Sequence, residues 1–316
     1  MPEQPHEGNW YVLVYGLQLE HSPMHLGSGL TLLNLGAPLT VFDLAAAGAA
    51  GFSAWATLEP FAPGCMCEIE SAVDAATKPG FDALNRAWLV SATLVLRGFG
   101  RHLCLACSAY PWSTIAGHQK RTAGVFKAQM AEEGVQAAVH QSRRELPTFK
   151  GQLLDYHLHP FSTASFKDVP VTSADARWIK RHFDTFNKLA HESERFSFSL
   201  ESAVDWRFQK DRRAAIARLW SGIEAVFGIE QELVFRVSLT IASLLAPRGE
   251  ERLSKFEAVK KLYATRSKAV HGESLSEDAL SAAIGESYDI LRLLLMHQVE
   301  LGRVFTKKDC ERAVLG

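Results

Sequence analysis

Tyr263-Ala-Thr-Arg-Ser-Lys-Ala-Val-His271-Gly272 sets an arginine and a histidine five residues apart and closes on a glycine. Phe256, Val259, Leu262, Tyr263, Ala269 and Val270 recur around it at helical spacing. They predict a helix ending at His271, with Gly272 as the left-handed residue that stops it. Arg266 falls three residues after Tyr263 and four before Val270, on the stripe that faces inward. A permanent charge there needs a partner: a carboxylate, a bound anion or a second chain. His271 lies about 140° further round an ideal helix, so only a frayed last turn or a second chain brings the two side chains together.

Working outward, the C-terminal half reads as helix throughout. Thr172-x-x-Asp175 is an acidic variant of a capping box and opens a first helix with Trp178, Ile179, Phe183, Phe186 and Leu189 on one face. Phe196 to Phe208 forms a second, either separate from the next or continuous with it. Asp211 to Phe227 carries the stripe Ile216, Leu219, Trp220, Ile223, Val226 and Phe227, and Glu232 to Leu245 is a fourth helix ended by Pro247 and Gly249. Ser254-x-x-Glu257 predicts the cap of the helix bearing Arg266. Ser274-x-x-Glu277 predicts the cap of a last helix reaching about Phe305.

The first half reads differently. Residues 9 to 20 are rich in β-branched and aromatic side chains and predict a strand. Short strand-like runs follow at 28–34, 39–44 and 50–59. Arg86 to Arg97 and His102 to Ser108 suggest a hairpin turning at Gly98-Phe-Gly100. Residues 123 to 145 look helical, and 155–160 extended. The expected fold class is therefore α+β, with a β-rich domain over residues 1–165 and an all-α domain over 166–316. Pro160 and Pro170 punctuate the boundary.

Two clusters invite a metal. Cys65-x-Cys67 and Cys104-x-x-Cys107, with His102 alongside, offer zinc-type donors. Cys104 and Cys107 sit in a strand-like run, where residues three apart face opposite sides, so buried thiols are the expectation. His157-x-His159 is a pair without a third ligand. No metal and no cofactor is expected.

Apolar residues make up 47% of the chain and charged ones 22%, as in a globular protein. A formal net charge of −1 gives no gross electrostatic sign of a nucleic-acid binder. The charge is uneven, however. From Arg207 to Lys268 there are 13 Lys/Arg against 7 Asp/Glu, a basic segment compatible with a phosphate-bearing ligand. The N-terminus lacks an apolar signal core, and no stretch reads as a membrane span, so a cytoplasmic location is expected.

Arginine and histidine together suit metal-independent RNA cleavage. In that reaction the ribose 2′-OH attacks its own phosphodiester. A histidine moves the proton, and an arginine holds the phosphoryl oxygens in a two-pronged grip. Ser267 is placed to bond the phosphate or orient His271, and Glu224 to position Arg266. The competing reading is a salt bridge between Arg266 and Glu224 that locks two helices, with His271 only ending one of them.

Leu219-Trp-Ser-Gly-Ile-Glu-Ala-Val-Phe227, Glu232 to Leu245, and Lys261-Leu-Tyr-Ala-Thr-Arg-Ser-Lys-Ala-Val-His-Gly272 occur in that order. Over residues 195 to 305 the chain resembles the HEPN superfamily, and within it the Apea-like HEPN domains of prokaryotic defence proteins. The resemblance implies a bundle of four or five helices, a homodimer formed through it, and an endoribonuclease site shared by both chains. Arg266 and His271 match the family's catalytic motif. Ser267, Glu224, Lys268 and Tyr263 form the supporting set. Ser267 stands where many members carry Asn, Asp or His. The implied function is RNA cleavage in bacterial defence or as a toxin, with a protein or phage trigger acting through the N-terminal half. The alternative is a non-catalytic HEPN module that dimerises or binds nucleotide or RNA.

Overall fold

The computed structural model describes residues 8–40, 43, 58–73, 79–117, 160–228 and 233–316. The chain is α+β, with an antiparallel sheet in the first half and helices through the second. Two compact units divide it. The described residues of one fall within Met1–Ser91, Arg101–Tyr156 and Val169–Arg181, and those of the other within Ala92–Gly100, His157–Asp168 and His182–Gly316.

In the first unit, strands β1 (Asn9–Tyr15), β2 (Met24–Gly27), β3 (Leu30–Asn34), β4 (Cys65–Ala72) and β5 (Leu103–Ser108) form a sheet in the order β2-β3-β4-β1-β5. β1 lies between β4 and β5, and Val12 pairs with Ile69 on one side and Cys107 on the other. These side chains are fully buried. The opposite face carries Glu68, which is also buried, beneath the single turn α2 (Trp112–Ile115). The Trp112 amide donates to Glu68 Oε2 at 2.6 Å, and the Trp112 indole donates to the Tyr11 carbonyl at 3.1 Å. Burial pushes the Glu68 carboxyl up to about 7.

The hairpin expected from Arg86 to Ser108 is not formed. Residues 86–96 belong to helix α1 (Pro79–Leu96), and β5 pairs with β1 instead. The apolar run Ala87 to Leu96 is buried nearly all round, and for such a run alternation does not separate strand from helix. Gly98 is not a hairpin turn. It takes φ +95°, and the amides of Gly98 and Phe99 return to the carbonyls of Val95 and Leu94, which is a Schellman helix end.

Cys104 and Cys107 do not face opposite sides of their strand. A register shift passes over Leu105, so Cys104 lies opposite Val14 and Cys107 opposite Val12, on the same side of the sheet. Cys65, Cys67, Cys104 and Cys107 are buried thiols outside any disulfide, as the sequence suggested. Burial pushes Cys65 and Cys107 up to about 12. Among the described residues no cluster of His, Cys, Asp or Glu is suited to a metal, and no helix is long and apolar enough to cross a membrane. His157, His159, the helix expected at 123–145, the extended run at 155–160 except Pro160, and most of the runs at 39–44 and 50–59 lie outside the described residues.

Helix α3 (Ser173–Glu192) starts where Thr172-x-x-Asp175 predicts, with Thr172 Oγ1 donating to Asp175 at 2.7 Å. In the second unit α4 (Glu194–Asp205), α5 (Arg212–Phe227), α6 (Leu233–Leu245), α7 (Glu250–Val270) and α8 (Glu277–Leu301) pack as a bundle. α5 is its centre, in contact with α4, α7 and α8. Gly222 makes this closeness possible. A Cβ there would stand 2.6 Å from Ser202 Cβ and 2.9 Å from Leu291 Cδ2.

Three helix boundaries differ from expectation. α7 begins at Glu250 behind Gly249, four residues before Ser254, because Glu250 and Glu251 already complement the helix start. α8 is capped by Ser276, whose hydroxyl accepts the Ala279 amide, rather than by Ser274. It stops at Leu301 on a left-handed Gly302, short of Phe305. A further helix, α9 (Lys307–Leu315), then starts at a Thr306/Asp309 capping box that the sequence reading passed over.

Candidate functional site

The site residues come from α5 and α7. Val259, Leu262, Tyr263 and Ala269 form the buried stripe of α7, and Arg266 stands within it. Val270, the last residue of α7 and expected on that stripe, is exposed instead. Arg266 Nη2 meets Glu224 Oε1 of α5 at 3.4 Å, and the two side chains are 22% and 23% exposed. The guanidinium also lies over the Tyr263 ring, with Cζ 5.4 Å from the centroid. Tyr263 in turn meets Trp220 edge-on at 5.0 Å. Trp220, Glu224, Tyr263 and Arg266 therefore form one continuous layer.

This layer has unused polar capacity. Glu224 Oε1, Arg266 Nε and Trp220 Nε1 are buried and carry no hydrogen bond to the protein. The ion pair is a single contact rather than a two-pronged fork, so the guanidinium keeps donors to spare. Burial, followed by the adjacent Glu224 carboxylate, raises the Tyr263 phenol above its ordinary value.

His271 occupies the end of α7 and is exposed. Its φ of −83° and ψ of 4° keep it close to the helical path. Gly272 follows at φ +77°, and its amide returns to the Ala269 carbonyl while that of Glu273 returns to Lys268. The result is a Schellman end, as Gly272 predicted. The His271 amide donates to the Ser267 carbonyl at 3.0 Å. Ser267 and Lys268 thus help the turn through their backbones; Ser267 is half-buried and Lys268 exposed.

The structure therefore brings Arg266, Glu224 and Tyr263 into one cluster and leaves His271 and Lys268 at the exposed helix end. Sequence reasoning missed Trp220 as a wall of the cluster, and it missed Arg213. Arg213, in the first turn of α5, donates to the Ala269 carbonyl at 3.0 Å and to the Glu273 carbonyl at 2.7 Å. A signal was present: Arg212 and Arg213 are two cations at a helix start, where the helix dipole disfavours them. No family model matches this chain, and no curated protein and no solved structure matches it.

Proposed function

We propose that the helical unit is a metal-independent endoribonuclease of the HEPN type. The observation that supports this most directly is the state of Arg266. It is held by one ion-pair contact, keeps donors to spare and stays about one-fifth exposed, on the helix whose exposed end carries His271. A guanidinium meant only as a strut is better served by a closed two-pronged pair.

In this reading Arg266 binds the non-bridging oxygens of the scissile phosphate and offsets the charge gained in the transition state. His271 takes the proton of the attacking 2′-OH or gives one to the departing 5′-oxygen. The P–O5′ bond breaks as the P–O2′ bond forms, leaving a 2′,3′-cyclic phosphate. Glu224 aims Arg266, and Tyr263 supports it from beneath. Lys268 and Ser267 lie at the mouth of the site. Because α7 stays helical to Val270, the separation of about 140° between the two side chains persists. A homodimer that brings the Arg266 of one chain toward the His271 of the other satisfies that geometry. A cytoplasmic setting in bacterial defence or toxicity, and a trigger acting through the sheet-bearing unit, rest on the resemblance and on the sequence alone.

The second reading is a non-catalytic dimerisation or nucleotide-binding module. The Arg266–Glu224 contact is what favours it. One assay separates the two. The protein is incubated with tRNA and mRNA in EDTA, beside Arg266→Ala and His271→Ala. Cleavage that survives EDTA and is lost in both variants supports the nuclease. Intact RNA under every condition, with the wild-type protein folded, leaves the binding module.

A further inference from the structure

We infer that Arg213 is a positioning residue for His271, fixing from the first turn of α5 the backbone turn that carries the imidazole. The inference rests on the reading of His271 as the proton-transfer group.

The geometry is a clamp with two jaws. Arg213 Nη1 donates to the Ala269 carbonyl at 3.0 Å, and Nη2 donates to the Glu273 carbonyl at 2.7 Å. These two carbonyls bracket His271 and Gly272. The turn's own bonds are uneven by comparison: Glu273 to Lys268 is 3.0 Å, but Gly272 to Ala269 is 3.4 Å. Carbonyls in the last turn of a helix have no partner within it. Arg213 gives the Ala269 carbonyl a second, shorter bond beside the Gly272 amide and ties it to a carbonyl beyond the turn. A planar guanidinium presents two N–H groups at a fixed separation, so the spacing of the two carbonyls is set as well.

The placement of the arginine argues that the contact is specific. Cations in the first turn of α5 run against its dipole, and Asp211, the N-cap, offsets this only in part. The same cation is favoured at the C-terminal end of α7, where Arg213 makes its contacts. Its neighbour Arg212 pairs with Glu277 in the first turn of α8. Two successive arginines therefore hold the link from α7 to α8 on both sides, and Arg213 alone grips the residues next to His271.

The test uses the full chain with Arg213→Gln, Arg213→Lys and Arg212→Gln. Three quantities are read: amide hydrogen exchange at Gly272 and Glu273, the NMR line shape of the His271 ring, and kcat and KM on one RNA in EDTA. Arg213→Gln is expected to speed exchange at both amides at least about tenfold and to broaden the His271 ring signals. It lowers kcat by about 10- to 100-fold while KM stays within about threefold, because the proton-transfer group is displaced and the phosphate grip is not. Lysine's donors all sit on one nitrogen and cannot span both carbonyls as a fork, so Arg213→Lys falls between wild type and Arg213→Gln on every readout; it carries the test if the glutamine variant does not fold. Arg212→Gln keeps kcat. Unchanged exchange and ring signals in Arg213→Gln overturn the clamp. Faster exchange with an unchanged kcat overturns the positioning role. If wild type leaves RNA uncut, the nuclease reading fails, and the exchange and ring signals still decide whether Arg213 holds His271.

Discussion

Glu224 decides whether Arg266 is a closed strut or a guided phosphate ligand, and a double-mutant cycle of Glu224→Gln with Arg266→Met separates these. The charged atoms stand 3.4 Å apart. At that distance Coulomb's law gives about 5 kcal/mol for an effective dielectric near 20, and about 1 kcal/mol in bulk water. Both side chains retain about one-fifth exposure and the contact lacks a hydrogen bond on Oε1, which draws the net value toward the lower figure. The expected coupling is about 1 to 1.5 kcal/mol, read from urea unfolding of wild type, both single variants and the double variant. Methionine keeps an apolar stem against the Tyr263 ring, so lost packing contributes little to the difference. Raising the salt from about 0.1 to about 1 M shortens the screening length from about 10 to about 3 Å and should reduce the coupling by about half. A coupling above about 3 kcal/mol that ignores salt indicates a sealed buried pair, and refutes the claim that Arg266 is available to a ligand. A coupling below about 0.3 kcal/mol refutes the claim that Glu224 holds it.

Two further outcomes concern the scaffold. Glu68 has its folded-state value raised from 4.5 to about 7 by burial. The folded state therefore keeps a proton that the unfolded chain has released. Its contribution is full below about pH 4.5 and is lost as pH rises through about 7. Glu68→Gln should thus gain on wild type, by on the order of 2 kcal/mol, between about pH 5 and 8 in urea midpoints; parallel pH profiles would show that the carboxyl is ionised in both states. Gly222→Ala places a Cβ against Ser202 and Leu291 and should lower stability by about 1 to 2 kcal/mol, despite alanine's better helix propensity. Stabilisation would mean that α4, α5 and α8 do not meet as closely as that glycine implies.

Helical period and caps made the second half legible from the sequence. The stripe through Ile216, Trp220 and Ile223 and the Thr172/Asp175 box are local patterns, and local hydrogen bonding and one-sided burial realise them. The Schellman end at Gly272 was legible for the same reason. The failures share a cause as well. The run through Ala87 to Leu96 is buried nearly all round, with Trp88 its one half-buried member, so it has no period that distinguishes helix from strand. Ser254 and Ser274 have the right spacing for a cap but lose to Gly249 and Ser276, behind which Glu250 with Glu251 and Glu277 with Asp278 already place acids in the first turn.

For the candidate site, the sequence by itself determined that Arg266 would face inward beside Tyr263 and that His271 would end its helix, because both follow from the period of one element. It also put Glu224 on the neighbouring stripe as the partner. Tertiary structure alone decided that the pair is a single, partly exposed contact with donors left over, that Trp220 and Tyr263 wall it, and that Arg213 grips the turn around His271 from more than fifty residues away. These depend on distances between helices, and no spacing within one helix contains them.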